Sequence, residues 1–148
     1  MTDFGKFAVT AAAIPLLALA TAPVALGQAS VVAKQLDETV EPMRKAGMVQ
    51  AARDVRGALD NKKSSDEAIY LIKGIRYQLT GFCDGDCRRL DISLFDGNNN
   101  KIAEHTTTDD KPVLNVTPKE TGKYTLRVVM GECTVDPCDW GVRAYAPR

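Results

Sequence analysis

The stretch from Tyr77 to Asp96 constrains the fold more than any other part of the chain. It reads YQLTGFCDGDCRRLDISLFD, two runs of alternating apolar and polar residues joined by a short acidic loop with a cysteine at each edge. A period of two places successive side chains on opposite faces of a β-strand. We therefore expect two neighbouring strands here, with the remaining strands laid against them.

Strand signals of the same kind continue to the end of the chain. The predicted strands are Ala68–Ile72, Ile75–Cys83, Leu90–Phe95, Lys101–Thr106, Pro112–Val116, Tyr124–Met130 and Trp140–Tyr145. The run Asp96-Gly97-Asn98-Asn99-Asn100 predicts a hairpin turn, because Gly and Asn tolerate the left-handed backbone conformation. About seven short strands separated by turn residues predict a mainly β domain, an antiparallel β-sandwich, over residues 64–148.

Residues 30–63 have a helical pattern instead. Val32, Leu36 and Val40 recur every four residues and form one apolar stripe, which Pro42 ends or kinks. A second run follows at spacings of three and four, made of Met48, Ala51, Ala52, Val55 and Leu59. We expect a short helical segment that precedes the sandwich and packs its apolar stripes on it.

Residues 1–29 have the pattern of a secretory signal peptide. No charged residue occurs between Lys6 and Lys34, and the intervening run is rich in Ala and Leu. Gly27 and Ala29 are the small residues expected just before a cleavage site, here at Ser30. The sequence thus predicts export to the periplasm or the extracellular space.

Charge excludes one class of partner. The chain carries 19 basic and 19 acidic residues, so no net charge favours association with nucleic acid or with an anionic membrane surface. We expect no nucleic-acid partner. An uncleaved anchor over Ala8–Leu26 is the alternative to the cleaved signal, and it is the one way in which we expect a membrane to be involved.

Four cysteines occur as two close pairs, Cys83 with Cys87 and Cys133 with Cys138. In an exported chain an even number of cysteines favours disulfide bonds. Each pair flanks one tight loop between strand ends, and both loops are expected at the same end of the sandwich. Local pairing is therefore favoured, crossed pairing stays open, and a four-cysteine zinc site is disfavoured by the spacing.

Asp84, Asp86 and Asp91 form a candidate calcium site, because alternate Asp residues can converge on one ion. The alternative is that the Asp-Gly-Asp run is turn chemistry without an ion. Calcium is the one cofactor that we consider for this chain.

No arrangement typical of an enzyme is present in the sequence. His105 is the single histidine, and neither G-x-S-x-G nor H-E-x-x-H occurs. A lone histidine in a strand is usually a polar surface residue, so we expect a protein without catalytic activity.

The segments CDGDC, LDISLFD, PVLNVTPKETGKYTLRVVM and WGVRAY, in this order, resemble the bacterial pre-peptidase C-terminal domain group. These domains are secreted β-sandwiches that often follow proteases. The resemblance covers about residues 68–147 and implies an accessory sandwich that attaches to protein or polysaccharide. It carries over no catalytic residue, and neither the helical segment nor the paired cysteines are general features of the group.

Together these patterns favour a secreted or periplasmic binding module without catalytic activity. Its expected partner is an envelope or extracellular protein or polysaccharide. Two alternatives stay open: a calcium-dependent structural or adhesive module, and an enzyme inhibitor that uses the disulfide-braced loop Gly131–Asp139 as a rigid plug.

Overall fold

A computed structural model of the protein describes residues 25–148, with side chains from residue 31 onward. In that part of the chain, two helices precede nine strands. The helices are α1 (Ala25–Glu38) and α2 (Val40–Lys45). The strands are β1 (Met48–Gln50), β2 (Val55–Leu59), β3 (Ser64–Leu71), β4 (Tyr77–Cys83), β5 (Cys87–Phe95), β6 (Lys101–His105), β7 (Val113–Val116), β8 (Gly122–Cys133) and β9 (Cys138–Pro147).

The strands form two antiparallel sheets that share one core. In the first sheet β9 is central: β4 pairs with one edge of it, β1 and β2 share the other edge, and β7 lies beyond β4. The second sheet has the order β3-β8-β5-β6. The architecture is therefore the antiparallel β-sandwich with a short helical segment that the sequence predicted.

All seven strands predicted from the alternation are present. Six core side chains from β5 and β8 are fully buried, with 0% exposure: Leu90, Ile92, Leu94, Leu126, Val128 and Met130. Burying a side chain of this size stabilises a folded domain by roughly 1.5–3 kcal/mol before entropy is subtracted. The two central strands of the second sheet thus supply much of the core.

The hairpin between β5 and β6 also forms as expected. The backbone N–H of Asp96 donates to the carbonyl of Asn100 at 2.9 Å, and Asn99 has a φ of 63°. The Asp96 carboxylate accepts the N–H groups of Asn98 and Asn100. These hydrogen bonds, that of Asn100 first, hold the pKa of Asp96 below its usual range.

The prediction of a second helix over Met48–Leu59 is wrong. This segment forms β1 and β2, which pair with β9 and add to the first sheet. In β2 the side chains alternate between half-buried and exposed, the pattern of a strand. Gly57 lies so close to Trp140 that a Cβ atom would be 2.9 Å from the indole ring, so this glycine allows the edge strand to approach the core.

The first helical stripe packs on the sandwich, as predicted. Val32 and Leu36 are 2% and 0% exposed, while Val40, the third residue of the predicted stripe, is exposed. The two buried side chains lie against Gly141 of β9, where a Cβ atom would be 2.9 Å from each of them. A larger residue at this position would force Val32 and Leu36 of α1 to shift.

Residues 1–24, and with them most of the predicted signal peptide and membrane anchor, lie outside the described residues. Helix α1 begins at Ala25 and continues through the predicted cleavage site at Ser30. Within the described part, no helix has the length and apolar character needed to cross a membrane.

Candidate binding surface

Two disulfide bonds lie side by side at one end of the sandwich. Cys83 is bonded to Cys87 and Cys133 to Cys138, and the Cα atoms are 5.9 Å apart in each pair. Local pairing is therefore confirmed, and no free cysteine occurs among the described residues. Cys87 and Cys133 are direct cross-strand neighbours in β5 and β8. We call residues 83–88 and 131–139 together the cysteine pole.

Hydrogen bonds fix the two loops of the cysteine pole to each other. The backbone N–H and the hydroxyl of Thr134 both donate to the carbonyl of Asp86, at 2.8 and 2.9 Å. The Asp84 carboxylate accepts the backbone N–H of Asp139 at 2.7 Å, and the Asp84 N–H donates to the Asp139 carbonyl at 3.1 Å. Each loop is thus closed by its own disulfide and held by the other loop.

The turn between β2 and β3 braces the longer loop from the side. The Asn61 side chain accepts the backbone N–H of Cys133 at 3.0 Å, and the Asn61 N–H donates to the Asp136 carboxylate at 2.6 Å. The Lys62 ammonium group donates to the carbonyl of Gly131. Contacts from two other segments, the β2–β3 turn and the Cys83–Cys87 loop, therefore set the shape of the Cys133–Cys138 loop.

This braced loop exposes an aliphatic side chain at its tip. Val135 is 61% exposed, and Asp136 and Pro137 beside it are also exposed. By contrast, both cysteines that close the loop are buried. An apolar side chain held outward on a loop of fixed shape loses little conformational entropy when a partner buries it.

Two of the three carboxylates of the predicted calcium site, those of Asp84 and Asp91, have separate roles. Asp84 is buried, and its two oxygens accept the backbone N–H groups of Asp86 and Asp139. Asp91 lies on β5, where the guanidinium group of Arg89 donates twice to one oxygen, at 2.9 and 3.0 Å.

Among residues 25–148, no group of three or more His, Cys, Asp or Glu side chains is placed to hold a metal ion. The turn chemistry considered as the alternative accounts for Asp84. The calcium site at Asp84, Asp86 and Asp91 stays a prediction from sequence.

The carboxyl group of Asp139 lies at the end of the longer loop of the cysteine pole and is partly buried. Burial, and then the nearby charge of Asp84, raise the pKa of Asp139 above its ordinary value. An ionised Asp139 therefore destabilises the folded pole slightly at neutral pH.

His105 lies at the end of β6 and is held by its neighbours. Its Nδ1 atom is 2.8 Å from the carbonyl oxygen of Val113, and its Nε2 atom is 3.2 Å from the hydroxyl of Thr107. The ring thus links β6 to the start of β7 and has a structural role.

A polar cleft of about 760 Å³ lies at the end of the sandwich opposite the cysteines. The β5–β6 hairpin forms one wall and the segment before β8 the other; lining side chains include Asn98, Ile102, Asn115, Thr117 and Glu120. The carboxylate of Asp96, also in this lining, is occupied by its own hairpin. The cleft therefore offers a second surface, but without the covalent bracing of the cysteine pole.

The sequence analysis missed the residue that joins the helical segment to the sandwich. Arg143 of β9 is 4% exposed and donates to the carbonyl of Leu36 at 2.8 Å. It also donates to the carboxylate of Asp37 at 2.9 Å, and twice to that of Asp54, at 2.7 and 2.8 Å. We call these groups the arginine cluster.

The charges of the arginine cluster stabilise one another. The hydrogen bonds that Arg143 donates, to Asp54 first and then to Asp37, raise its pKa against the opposing effect of burial. Burial alone would raise the pKa of Asp54, but the hydrogen bonds from Arg143 and Arg56 outweigh it and lower that pKa. Arg143 and Asp54 are therefore both ionised at neutral pH, and the cluster ties α1 and the β1–β2 loop to β9.

Comparison with known proteins adds no relative. No protein-family model matches the chain, and no curated protein sequence matches it. The two disulfides themselves are typical of an oxidising compartment outside the cytoplasm.

Proposed function

We propose that the protein is a secreted or periplasmic binding module without catalytic activity, and that the cysteine pole is its binding surface. The observation that carries this proposal is the exposed Val135 on a loop closed by a disulfide and tied to a second closed loop. A surface organised in this way loses little conformational freedom when a partner binds.

The chemistry of the pole favours a protein partner over a polysaccharide. The exposed group at the tip is aliphatic, and it is flanked by Asp136 and Pro137 on a projecting loop. A projecting aliphatic side chain fits an apolar pocket of another protein, whereas polysaccharides are generally held on flat aromatic surfaces. The partner is then an envelope or extracellular protein with a concave apolar site.

One specific observation favours enzyme inhibition as the second candidate. The segment Gly131–Asp139 has the disulfide Cys133–Cys138 at its base and an exposed aliphatic residue at its tip. Rigid loops of this kind can fill an enzyme cleft, and pre-organised inhibitors are among the tightest protein ligands. In this case the partner of the cysteine pole would be a secreted hydrolase.

A capture experiment tests the proposal. The exported protein is immobilised and exposed to envelope and extracellular fractions of its native host, in parallel with a Val135→Lys variant and an Ile102→Lys control. Ile102 is 40% exposed and lines the cleft at the opposite end. We expect a protein that binds the unchanged chain and the control but not Val135→Lys.

Two results would contradict the proposal. The first is capture that does not depend on Val135, because binding would then use another surface. The second is retention by a glycan array with no captured protein, which would assign a polysaccharide partner. A protease-inhibition screen with the same three proteins separates general binding from inhibition.

A further inference from the structure

The two disulfides of the cysteine pole meet at one pair of neighbouring residues. Cys87 and Cys133 stand directly opposite each other in the ladder between β5 and β8, although each is bonded to a different cysteine. Both residues are buried, with 3% and 7% exposure. The two disulfide bonds therefore lie side by side, one on each strand of a single cross-strand pair.

The backbone hydrogen bonds show which type of pair this is. The N–H of Cys133 donates to the side chain of Asn61 at 3.0 Å, and the N–H of Cys87 donates to the carbonyl of Asp84 at 3.3 Å. In a hydrogen-bonded antiparallel pair, the two residues would donate to each other's carbonyls instead. Cys87 and Cys133 thus form a non-hydrogen-bonded pair.

A pair of this type has the spacing of a disulfide bond. Its Cα atoms are about 4.5 Å apart, and its side chains lie on the same face of the sheet. Disulfides join residues whose Cα atoms are about 4.4–6.8 Å apart. On the loop side of the pair, the Thr134 N–H donates to the Asp86 carbonyl at 2.8 Å and holds the strands together. The backbone therefore places Cys87 and Cys133 at bonding distance through hydrogen bonds that neither disulfide supplies.

The other two cysteines are not placed to pair with each other. Cys83 stands opposite Trp140 in the ladder between β4 and β9, and Cys138 lies two positions before Trp140. Such diagonal neighbours are about 7–8 Å apart, which is too far for a disulfide unless the backbone moves. A bond between Cys87 and Cys133 would consequently leave two free thiols.

We propose that the four cysteines form a thiol–disulfide exchange site, in which reduction of the Cys133–Cys138 bond by a small dithiol moves the remaining disulfide to Cys87 and Cys133. The dithiol is oxidised to its cyclic disulfide, and its two protons and two electrons pass to Cys133 and Cys138. The Cys133 thiolate then attacks Sγ of Cys87. A bond forms between these two sulfur atoms, the bond between Cys87 and Cys83 breaks, and its electron pair leaves with Cys83, which takes up a proton.

Exposure favours reduction at the longer loop first. Cys133 is the most exposed of the four cysteines, and the residues between it and Cys138 are all exposed. In the shorter loop Asp84 is buried. Because an external thiolate must reach a sulfur atom to attack it, a small dithiol meets the Cys133–Cys138 bond before the other one.

The exchange changes how the two sheets are joined. Each existing disulfide links one sheet to the other, since Cys83 and Cys138 belong to the first sheet and Cys87 and Cys133 to the second. The new bond lies within the second sheet alone, so both loops of the cysteine pole open. The opened loop no longer fixes Val135, and a dithiol is then expected to release a bound partner. That consequence rests on the proposed function, whereas the exchange itself does not.

Limited reduction of the exported protein tests the proposal. The folded protein is treated with one equivalent of dithiothreitol at about pH 8, near the ordinary pKa of a thiol. Excess N-ethylmaleimide stops the reaction, and the peptides are mapped without further reduction. We expect most doubly labelled chains to carry the labels on Cys83 and Cys138 and a bond between Cys87 and Cys133.

The same reaction in urea is the control. The ladder is absent from the unfolded chain, and cysteines 4 or 5 positions apart then close a ring more readily than a pair distant in sequence. We expect the bond between Cys87 and Cys133 to be about tenfold less abundant in urea than in the folded protein.

Two double variants test the geometry without a reductant. Cys83→Ser with Cys138→Ser keeps the cross-strand pair, and we expect this chain to form one disulfide in air. Cys87→Ser with Cys133→Ser keeps the diagonal pair, and we expect it to retain two free thiols under the same conditions. Circular dichroism verifies the fold of both variants.

Several results would overturn the proposal. One is a doubly labelled chain that keeps either local disulfide as the main product, and another is the absence of any doubly labelled chain. Equal amounts of the new bond in folded and unfolded protein would show that the ladder does not direct it. Free thiols in a folded Cys83→Ser, Cys138→Ser chain would exclude the cross-strand bond. If that variant does not fold, the mapping of the unchanged protein decides alone.

Discussion

The arginine cluster and the cysteine pole both fix chain segments against the sandwich, the first through charged hydrogen bonds and the second through disulfides. Each holds segments that lie outside the two sheets, or at their ends, in one arrangement against the sandwich. In the arginine cluster one buried guanidinium group, that of Arg143, donates to two carboxylates and one carbonyl. In the cysteine pole each disulfide closes its own small loop, and hydrogen bonds join the two loops.

The two sites differ in what they contribute: one mainly stabilises the fold, and the other mainly fixes the shape of a surface. The arginine cluster connects residues 89 to 107 positions apart, so its loss would remove hydrogen bonds that hold the end of α1 and the β1–β2 loop against β9. The disulfides span separations of 4 and 5 residues, and such short closures remove little entropy from the unfolded chain. We therefore assign the larger contribution to stability to Arg143, and local shape to the cysteines.

The largest decrease in the free energy of unfolding is expected from Arg143→Met. This change leaves the largely buried carboxylate of Asp54 with Arg56 and Gln50 as its remaining partners, and it removes the tie to α1. Breaking a buried ion pair on one side costs about 3–5 kcal/mol, and we expect about 3 kcal/mol because Asp37 is largely exposed.

Urea denaturation measures the effect of Arg143→Met. The matched control is Arg127→Met, which removes an arginine that is also paired bidentately with a carboxylate, Asp66, but on the exposed face of the sheet. Equal effects of the two changes would show that burial of the arginine cluster does not matter.

A smaller effect is expected from opening one disulfide. In the loop-entropy model a ring of about five residues contributes about 2 kcal/mol, and native-state strain reduces this value. Replacing Cys83 and Cys87 together by Ser should therefore lower the free energy of unfolding by about 2 kcal/mol or less. A loss greater than that of Arg143→Met, measured by the same denaturation, would reverse the comparison.

The stability that the arginine cluster contributes should decrease in acid. The folded state lowers the pKa of Asp54, so its contribution is complete above the unfolded pKa of about 3.9 and is lost as the pH falls through the folded value. We expect the unchanged protein to lose stability below about pH 4. The melting temperature of Arg143→Met should fall less steeply with decreasing pH in that range than that of the unchanged protein. Equal pH dependence in the two proteins would contradict the role of the Arg143–Asp54 pair.

The smallest predicted change in stability is a gain, and it is expected from Asp139→Asn. The folded state raises the pKa of Asp139, so the ionised group opposes folding at neutral pH, and the stability gained by its protonation appears as the pH falls through the raised value. Asp139→Asn removes the charge and keeps the backbone N–H that Asp84 accepts. It should raise the melting temperature slightly at pH 7, whereas a decrease would mean that the charge has a favourable partner.

The sequence predicted the strands well because their signal is local. Alternation over Leu90–Phe95 and Tyr124–Met130 reflects one buried and one exposed face, and this pattern needs no knowledge of neighbouring segments. The disulfide pairing was also accessible, since the cysteines flank short loops. The position of both pairs at one end followed from counting strands.

What could not be predicted depends on contacts distant in sequence. Met48, Val55 and Leu59 have helical spacing, but pairing with β9 decides their structure, and that preference overrides a short periodic pattern. Arg143 offered one signal: it interrupts the near-continuous apolar run WGVRAYA, which is typical of a strand buried on both faces. A charge within such a run indicates a buried partner, but the sequence does not name Asp54 as that partner.

The central claim is that the cysteine pole binds a partner and that its disulfides serve the shape of that surface. The most direct measurement is the affinity of the captured partner for the unchanged protein and for the double variant Cys133→Ser with Cys138→Ser. Titration calorimetry well below both melting temperatures keeps the two proteins folded. We predict that the variant binds about tenfold more weakly or worse, although its stability falls by about 2 kcal/mol or less. Equal affinities would contradict the claim, because the surface would then not depend on the closed loop.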